Sequence, residues 1–146
     1  MAASFWHSSH CQEWLKNEDT LTPEEKSVRE EKKKRDDSIL TDDEQKILRV
    51  HLASFLTAMG RHARVRCRQR IISTAIVYLA RFYYNNSFRD FHPHLIAATS
   101  LLLAAKVEEC HFPGLAKAIA DALRELNRDL PYTIHDIIDG EYFLME

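Results

Sequence analysis

From Ile39 onward, apolar residues recur at intervals of three and four, which is the spacing of one face of an α-helix. Thr41, with Glu44 three residues later, forms the capping box that typically starts a helix. Gly60 is predicted to end this helix as its C-cap. The buried stripe of this first helix is predicted to contain Ile47, Leu48, Leu52, Phe55, Leu56 and Met59.

The same spacing predicts four further helices. The second ends at Asn85-Asn86, the third begins at Pro93, the fourth follows Pro113-Gly114, and the fifth follows Pro131. The second helix carries the stripe Ile71, Ile72, Ala75, Ile76, Leu79, Phe82 and Tyr83. The fourth carries Leu115, Ile119, Leu123 and Leu126, and the fifth carries Ile134, Ile137, Ile138, Phe143 and Leu144.

The third predicted helix differs from the others because it is apolar on nearly every face from Leu95 to Ala105. A helix without a polar face must be surrounded by other helices. The chain has only three glycines and four prolines, fewer turn-forming residues than a β-sandwich or barrel of this length needs. We therefore predict an all-α fold, a five-helix bundle around one central buried helix, which occupies residues 39–146.

Two segments precede this domain. Residues 1–16 are predicted to be an aromatic arm with a short N-terminal helix, capped by Ser4, that places Trp6, His10 and Trp14 along one side. Residues 17–38 are so strongly charged that they are predicted to be a solvated linker. The KKKR run within this linker has the composition of a nuclear-import patch, but the acidic pairs on either side of it favour an ordinary solvated charge run.

Composition excludes several classes of protein. The 146 residues are 45% hydrophobic with a net charge of −2, which is typical of a globular protein and gives no general attraction to nucleic acid. The longest apolar run is far shorter than the roughly 20 residues that span a bilayer, and the start lacks the pattern of a secretory signal. The three cysteines are an odd number at unrelated spacings, so we expect reduced thiols in an intracellular protein.

The sequence gives little support to an enzyme. It lacks the motifs of metalloproteases, serine hydrolases, dinucleotide-binding enzymes and P-loop proteins, and we expect no cofactor. The closest group of histidines is His92, His94 and His111, but a helix of about 16 residues separates its two ends by roughly 24 Å. These side chains therefore cannot share a metal ion, and no metal site is predicted.

Five arginines between Arg61 and Arg70 concentrate positive charge at the connection between the first two bundle helices. Such a run is the strongest argument in this sequence for binding nucleic acid. Neither the near-neutral net charge nor the absence of interleaved aromatic residues supports that interpretation. The alternative is that these arginines satisfy helix ends and pair with acidic residues elsewhere in the chain.

The sequence KVEEC ends the central helix and breaks a local rule. Lys106 suits the negative end of the helix dipole, whereas Glu108 and Glu109 are unfavourable there by a few tenths of a kcal/mol each. Two interpretations remain open. In the first, the charged cluster is a site that binds a partner. In the second, the glutamates are simply solvated beyond the helix end.

Several segments together resemble a known family. LLLAAKVEE resembles the third-helix signature of cyclin boxes, RQRIISTAIVYLARFY resembles their second helix, and DGEYFLME resembles their fifth. FWHSSH, followed by Trp14, is similar to the opening of C-type cyclins. The resemblance covers most of the chain except the charged segment, and it identifies residues 39–146 as a first cyclin box.

The resemblance implies a regulatory subunit that binds and activates a cyclin-dependent kinase, and not an enzyme. By matching motifs, Lys106 and Glu141 would contact the kinase, Glu108 and Glu109 would face kinase arginines or a further subunit, and Phe5, Trp6 and Trp14 would anchor the partner. The implied partner is a kinase of the cyclin-dependent kinase 8 type with the other subunits of the Mediator kinase module, in the nucleus, regulating RNA polymerase II transcription.

Other possibilities are another transcription-type cyclin, a binder that does not activate its kinase, and a cyclin-fold adaptor that binds nucleic acid through Arg61 to Arg70. Family members normally continue into a second five-helix box, for which this sequence has no counterpart. We expect Tyr142, Phe143 and Met145 to be partly exposed as a result.

Overall fold

The computed structural model describes residues 4–15, 21–110 and 112–145. A 3₁₀ turn at Phe5–His7 and a π-helical turn at His10–Trp14 come first in the chain. Six α-helices follow, and no β-strand occurs in the described ranges. The helices are α1 (Pro23–Asp37), α2 (Asp42–Arg61), α3 (Gln69–Asn85), α4 (Pro93–Val107), α5 (Leu115–Leu126) and α6 (Ile134–Met145).

Helix α4 is the centre of the bundle, packed against α2, α3, α5 and α6. Every residue from Ile96 to Leu102 is buried, as are Ala104 and Ala105. A helix that is apolar on all faces is shielded from water only when other helices enclose it, and here four helices do so. This confirms the predicted all-α fold, a five-helix bundle made of α2 to α6 in which α4 is the central buried helix.

The predicted helix starts are also confirmed. Thr41 caps α2, where its hydroxyl accepts the Glu44 N–H while the Glu44 carboxylate accepts the Thr41 N–H at 2.8 Å. Those hydrogen bonds from Thr41 lower the pKa of Glu44. Pro93 occupies the first turn of α4, where its missing N–H costs no hydrogen bond. Helix α3 ends at Asn85, with Asn86 as its C-cap.

The prediction that Gly60 ends the first bundle helix is wrong. Helix α2 continues to Arg61, and the cap is His62, whose N–H donates to the Met59 carbonyl at 3.2 Å. Gly60 is buried, and a Cβ atom there would lie 2.7 Å from Cγ1 of Ile72. The glycine therefore serves the close approach of α2 to α3 and does not end the helix.

Four residues of the predicted buried stripes are exposed. Ile47 in α2 is 68% exposed and Leu126 at the end of α5 is 41% exposed, and in α6 Ile138 is 39% and Phe143 is 49% exposed. Periodicity identifies the apolar side of a helix, but neighbours cover only the part of that side that faces α4. The predicted exposure of Tyr142, Phe143 and Met145 is confirmed.

The charged segment is not the solvated linker that we predicted. Residues Pro23–Asp37 form α1, which begins with a capping box between Thr22 and Glu25. This helix packs against α3 through polar side chains. Apolar periodicity could not reveal it, since most of its packing groups are charged.

Asp36 is the main anchor of α1, because its side chain is buried at the turn after α3. Its carboxylate accepts hydrogen bonds from the Ser87 hydroxyl at 2.6 Å and from the Phe88 N–H at 3.0 Å. One helical turn earlier, the Lys32 ammonium donates to the carbonyls of Tyr83 and Tyr84 at the end of α3. A cation at that position is favoured by the negative end of the α3 dipole.

Gly140 sets the distance between α6 and the central helix. A Cβ atom at this position would lie 2.7 Å from Oγ1 and 3.2 Å from Cγ2 of Thr99, which is fully buried and β-branched. We predict that Gly140→Ala lowers the free energy of unfolding by about 1–3 kcal/mol because neither helix has room to yield. Urea denaturation monitored by circular dichroism measures this change.

Thr99→Ala supplies the control, because it removes the atoms that would collide. In that background Gly140→Ala should be near neutral or stabilising, since alanine is a better helix former than glycine. An equal penalty in both backgrounds would contradict the proposed contact.

Three histidines gather where α4 begins. The His94 ring lies 5.9 Å from the His51 ring of α2 and 5.5 Å from the His92 ring, and His92 lies 5.3 Å from the Tyr132 ring. Burial lowers the pKa of His92, and burial together with the charges of His92 and His51 lowers the pKa of His94. The N-terminus of α4 adds a positive dipole end beside them.

This cluster predicts a loss of stability in acid. The unfolded chain binds protons at these histidines more readily than the folded chain does. The contribution of the neutral histidines to the free energy of unfolding is therefore complete above the ordinary histidine pKa of 6.5 and is lost as pH falls below it. We expect the melting temperature to fall between pH 7.5 and pH 5.5, and His94→Leu to flatten that dependence. The exposed His135→Gln is the matched control, and an unchanged pH profile in His94→Leu would contradict the prediction.

Candidate functional site

The structure joins two of the predicted site residues directly. Lys106 lies in the last turn of α4 and Glu141 lies in α6, beside Gly140. The Lys106 ammonium donates to Oε2 of Glu141 at 2.6 Å. The lysine side chain is 42% exposed whereas the glutamate side chain is 10% exposed. The pair therefore has one nearly buried partner and one that faces solvent.

This pair retains hydrogen-bonding capacity toward a partner. Oε1 of Glu141 has no hydrogen-bond partner among the described residues, although the atom is buried. An ammonium group carries three donors, of which Glu141 uses one. Lys106 can therefore donate charge-assisted hydrogen bonds to carbonyl groups of another chain, whereas an N–H of that chain would reach Oε1 of Glu141 only if the carboxylate turned outward.

Exposed apolar residues flank the charged pair along α4 and α6. Val107 follows Lys106, Tyr142 follows Glu141, and Met145 lies one helical turn further along α6; all three are more than half exposed. Exposed apolar residues around a few polar groups are typical of protein–protein interfaces.

Glu108 is held within the chain. Its carboxylate accepts hydrogen bonds from the Thr74 hydroxyl at 2.9 Å and from the Arg70 guanidinium, both on α3. These two side chains lower the pKa of Glu108, the Thr74 bond more than the Arg70 bond. The residue is therefore neither freely solvated nor fully available to a partner, which neither interpretation of KVEEC anticipated.

Glu109 is exposed and adopts a left-handed backbone conformation, with φ at 53°. The Cys110 N–H donates to the Ala105 carbonyl at 2.9 Å, and the Glu109 N–H donates to the Lys106 carbonyl at 3.1 Å. These two bonds form a Schellman motif, in which the left-handed position is usually glycine. A glutamate at this position costs stability that no contact of its side chain in the described residues repays.

The aromatic arm divides into two parts. Trp14 is half-buried against the chain's own α3, with the Arg81 guanidinium 4.5 Å above its ring and the Tyr84 ring 6.5 Å away. Trp6 is 74% exposed and stacks edge-on with the half-exposed Phe5, their ring centroids 5.4 Å apart. Of the three predicted anchors, Phe5 and Trp6 are therefore the two whose rings are exposed.

The prediction of one short helix with Trp6, His10 and Trp14 on a single side is wrong. Ser8, in an extended conformation, separates the 3₁₀ turn from the π-helical turn. Helical periodicity over so short a segment does not overcome the cost of starting a helix.

The basic run is largely satisfied inside the chain. Arg64 forms ion pairs with Asp121 at 3.1 Å and Glu125 at 2.8 Å. Arg70 binds Glu108, and the side chain of Arg66 donates to the Ala63 carbonyl at 2.8 Å. These contacts support the interpretation that the arginines stabilise the bundle.

The structure adds little evidence for other chemistry. No three His, Cys, Asp or Glu side chains are grouped to hold a metal ion in the described part of the chain, and His111 lies outside the described residues. The cysteines Cys11, Cys67 and Cys110 are free, and burial raises the pKa of Cys67 to about 11. Among the described helices, none has both the length and the hydropathy to cross a membrane.

The functional contacts missed by sequence reasoning are those between distant polar residues. Arg70 and Thr74, spaced by one helical turn, hold Glu108 from 34 or more residues away. Their i, i+4 spacing is the only signal in the sequence, and it does not identify the carboxylate that they bind.

Glu109 allows a direct test of its strained conformation. We predict that Glu109→Gly raises the free energy of unfolding by about 1 kcal/mol, because glycine adopts the left-handed conformation without a steric penalty. Glu109→Ala is the matched control, since it removes the carboxylate but keeps the strain and should give no such gain. Equal stabilities of the two variants would contradict the role assigned to the backbone.

Comparison with known proteins identifies the family of this chain. The family described as "Cyclin, N-terminal domain" matches residues 21–146. A Caenorhabditis elegans protein named cyclin-C is 41% identical over 116 residues, which are 75% of this chain and 36% of that protein. The cyclin-C proteins of Drosophila pseudoobscura pseudoobscura and Drosophila melanogaster are 31% and 30% identical across the whole chain.

The match to the Drosophila proteins covers 54% of their length, so the chain spans about half of those relatives. The matched region includes the central helix, the Lys106–Glu141 pair and α1. The chain belongs to the cyclin family, and within that family its sequence fits the C-type cyclins.

Proposed function

We propose that this chain is the kinase-binding region of a C-type cyclin, a regulatory subunit that activates a cyclin-dependent kinase. The proposed kinase is of the cyclin-dependent kinase 8 type, acting with the Mediator kinase module in the nucleus to regulate transcription by RNA polymerase II. Membership of the cyclin family and relatives named cyclin-C support this proposal.

The observation that carries the proposal is the Lys106–Glu141 pair. The two side chains come from different helices, are in contact, and keep hydrogen-bonding capacity at an apolar surface. Their joint position matches the lysine and glutamate through which cyclins contact a kinase. A donor and an acceptor at one fixed spacing suit the backbone of a partner helix or loop.

The proposed mechanism is positional and involves no chemistry by this chain. Cyclins bind beside the mobile regulatory helix of a kinase and hold it inward, which aligns the kinase's Lys–Glu ion pair and its metal-binding Asp. In this chain Lys106 and Glu141 would hold the kinase backbone, and the exposed Glu109 would attract kinase arginines. Glu108 would act mainly by fixing the end of α4 through Arg70 and Thr74.

The aromatic arm has a separate part in the proposal. Phe5 and Trp6 would insert into an apolar surface of the partner, where large aromatic residues commonly contribute most to affinity. Trp14 would act by attaching the arm to α3, so that Phe5 and Trp6 lie at a defined distance from the bundle.

Calorimetric titration of the chain into purified cyclin-dependent kinase 8 tests the proposal. We expect saturable binding by the parent chain, and a loss of more than about 1.5 kcal/mol of binding free energy, roughly tenfold in affinity, in Lys106→Ala and in Glu141→Gln. Glu141→Gln keeps the size of the side chain, so its effect reports the lost charge.

Lys117→Ala is the matched control, because Lys117 is an exposed lysine that lies on α5 and not on α4 or α6. Circular dichroism must show the same helical content in every variant before the affinities are compared. Failure of a folded parent chain to bind would contradict the proposal. Equal losses in Lys117→Ala and Lys106→Ala would contradict the assignment of the site.

A further inference from the structure

A second charged surface lies on α1, apart from the candidate kinase-binding site. A cleft of about 620 Å³ opens between α1, α2 and the end of α3. Five cationic side chains line it: Lys26, Arg29, Lys32, Lys33 and Arg49. Positive charge from two different helices therefore converges on one concave surface.

The carboxylates in the cleft do not balance this charge. Asp36 is buried and accepts hydrogen bonds from the Ser87 hydroxyl and the Phe88 N–H. Asp42 pairs with Lys33 at 3.9 Å. Glu30 is the remaining carboxylate of the lining.

Three of the five cations contact neutral groups instead. The Arg29 guanidinium lies 4.7 Å above the Tyr84 ring, and the Arg49 guanidinium lies 5.9 Å from the Phe88 ring. Lys32 donates to two backbone carbonyls and keeps a third donor. No ion pair joins any of these three cations to a carboxylate within the described residues.

Two further observations favour an anionic ligand in this cleft. The Tyr84 hydroxyl is buried and has no hydrogen-bond partner in the described part of the chain, although Tyr84 lines the cleft. Burial and repulsion by Arg49 lower the pKa of Lys32 to about 8, attraction to Asp36 offsets part of this shift, and Arg29 adds a smaller repulsion. An anion among these groups would remove the repulsion.

We propose that this cleft binds a phosphoryl group through Arg29, Lys32 and Arg49. A phosphoryl group carries a charge of roughly −1.5 to −2 at neutral pH and three acceptor oxygens, whereas a carboxylate carries one charge and two oxygens. The guanidinium groups can bind the oxygens in pairs while Lys32 contributes its free donor. The group would come from a phosphorylated side chain of a partner protein or from free phosphate.

Nuclear magnetic resonance of the arginine Nε–Hε groups tests this site in the complete chain. Inorganic phosphate is titrated at constant ionic strength, with chloride as the balancing anion. We expect saturable shifts of the Arg29 and Arg49 signals, and at least tenfold weaker binding in Arg29→Gln and in Arg49→Gln. Shifts that chloride alone reproduces would overturn the proposal.

Lys34→Gln is the matched control, since Lys34 lies on α1 but does not line the cleft. It should bind phosphate as the parent does. Among the described residues, the contacts of Arg29 and Arg49 are with aromatic rings and include no hydrogen bond that anchors α1, so both variants should keep the fold, which circular dichroism verifies. Unchanged phosphate affinity in both arginine variants would overturn the proposal.

A pair of short peptides then distinguishes the two sources. One carries phosphoserine and the other carries glutamate at the same position. Binding of the phosphoserine peptide at least as tightly as inorganic phosphate, with the glutamate peptide weaker, supports a phosphorylated partner. Binding of inorganic phosphate alone supports a free-phosphate site, and no binding of either ligand overturns the proposal. The result does not depend on kinase binding.

Discussion

Burial of α4 is the constraint on which the rest of the structure depends. Its residues from Ile96 to Leu102 have no face that tolerates water, so four helices must surround it. Its alanines, and glycines on its neighbours, let those helices approach closely. Gly60 brings α2 against α3, and Gly140 brings α6 against Thr99. The ends of α4 are then the parts of this helix that reach the surface, and both carry charged or titratable groups.

Polar contacts determine how the surrounding helices are arranged at those ends. At the C-terminus of α4, Lys106 binds Glu141 of α6 and Glu108 binds Arg70 of α3. Polar contacts also attach α1, because the Asp36 carboxylate accepts hydrogen bonds from the turn after α3. A polar contact of this kind contributes modest net stability, but losing one partner leaves a desolvated group behind. Such contacts therefore specify geometry more than they add stability, and they place the functional side chains.

The chain thus carries two charged surfaces with different origins. The surface at Lys106 and Glu141 has a charge-balanced pair with exposed apolar residues next to it along α4 and α6, which suits a protein backbone. The cleft on α1 has an excess of cations with few carboxylates, which suits an anion. Trp14 and Arg29 both contact Tyr84, so the aromatic arm and the cleft meet at the end of α3.

Sequence alone determined the number, order and approximate bounds of the bundle helices and the central position of α4, and the family motif in it led to the prediction that Lys106 and Glu141 are site residues. These features follow from apolar periodicity, capping residues and local signatures, all of which act within a few positions of the chain. Tertiary structure alone decided that Gly60 lies inside a helix, that the charged segment forms α1, and that Glu108 is held by Arg70 and Thr74. The physical reason is that a charged side chain suits water and a distant polar partner equally well, so only the folded chain determines which of the two it contacts.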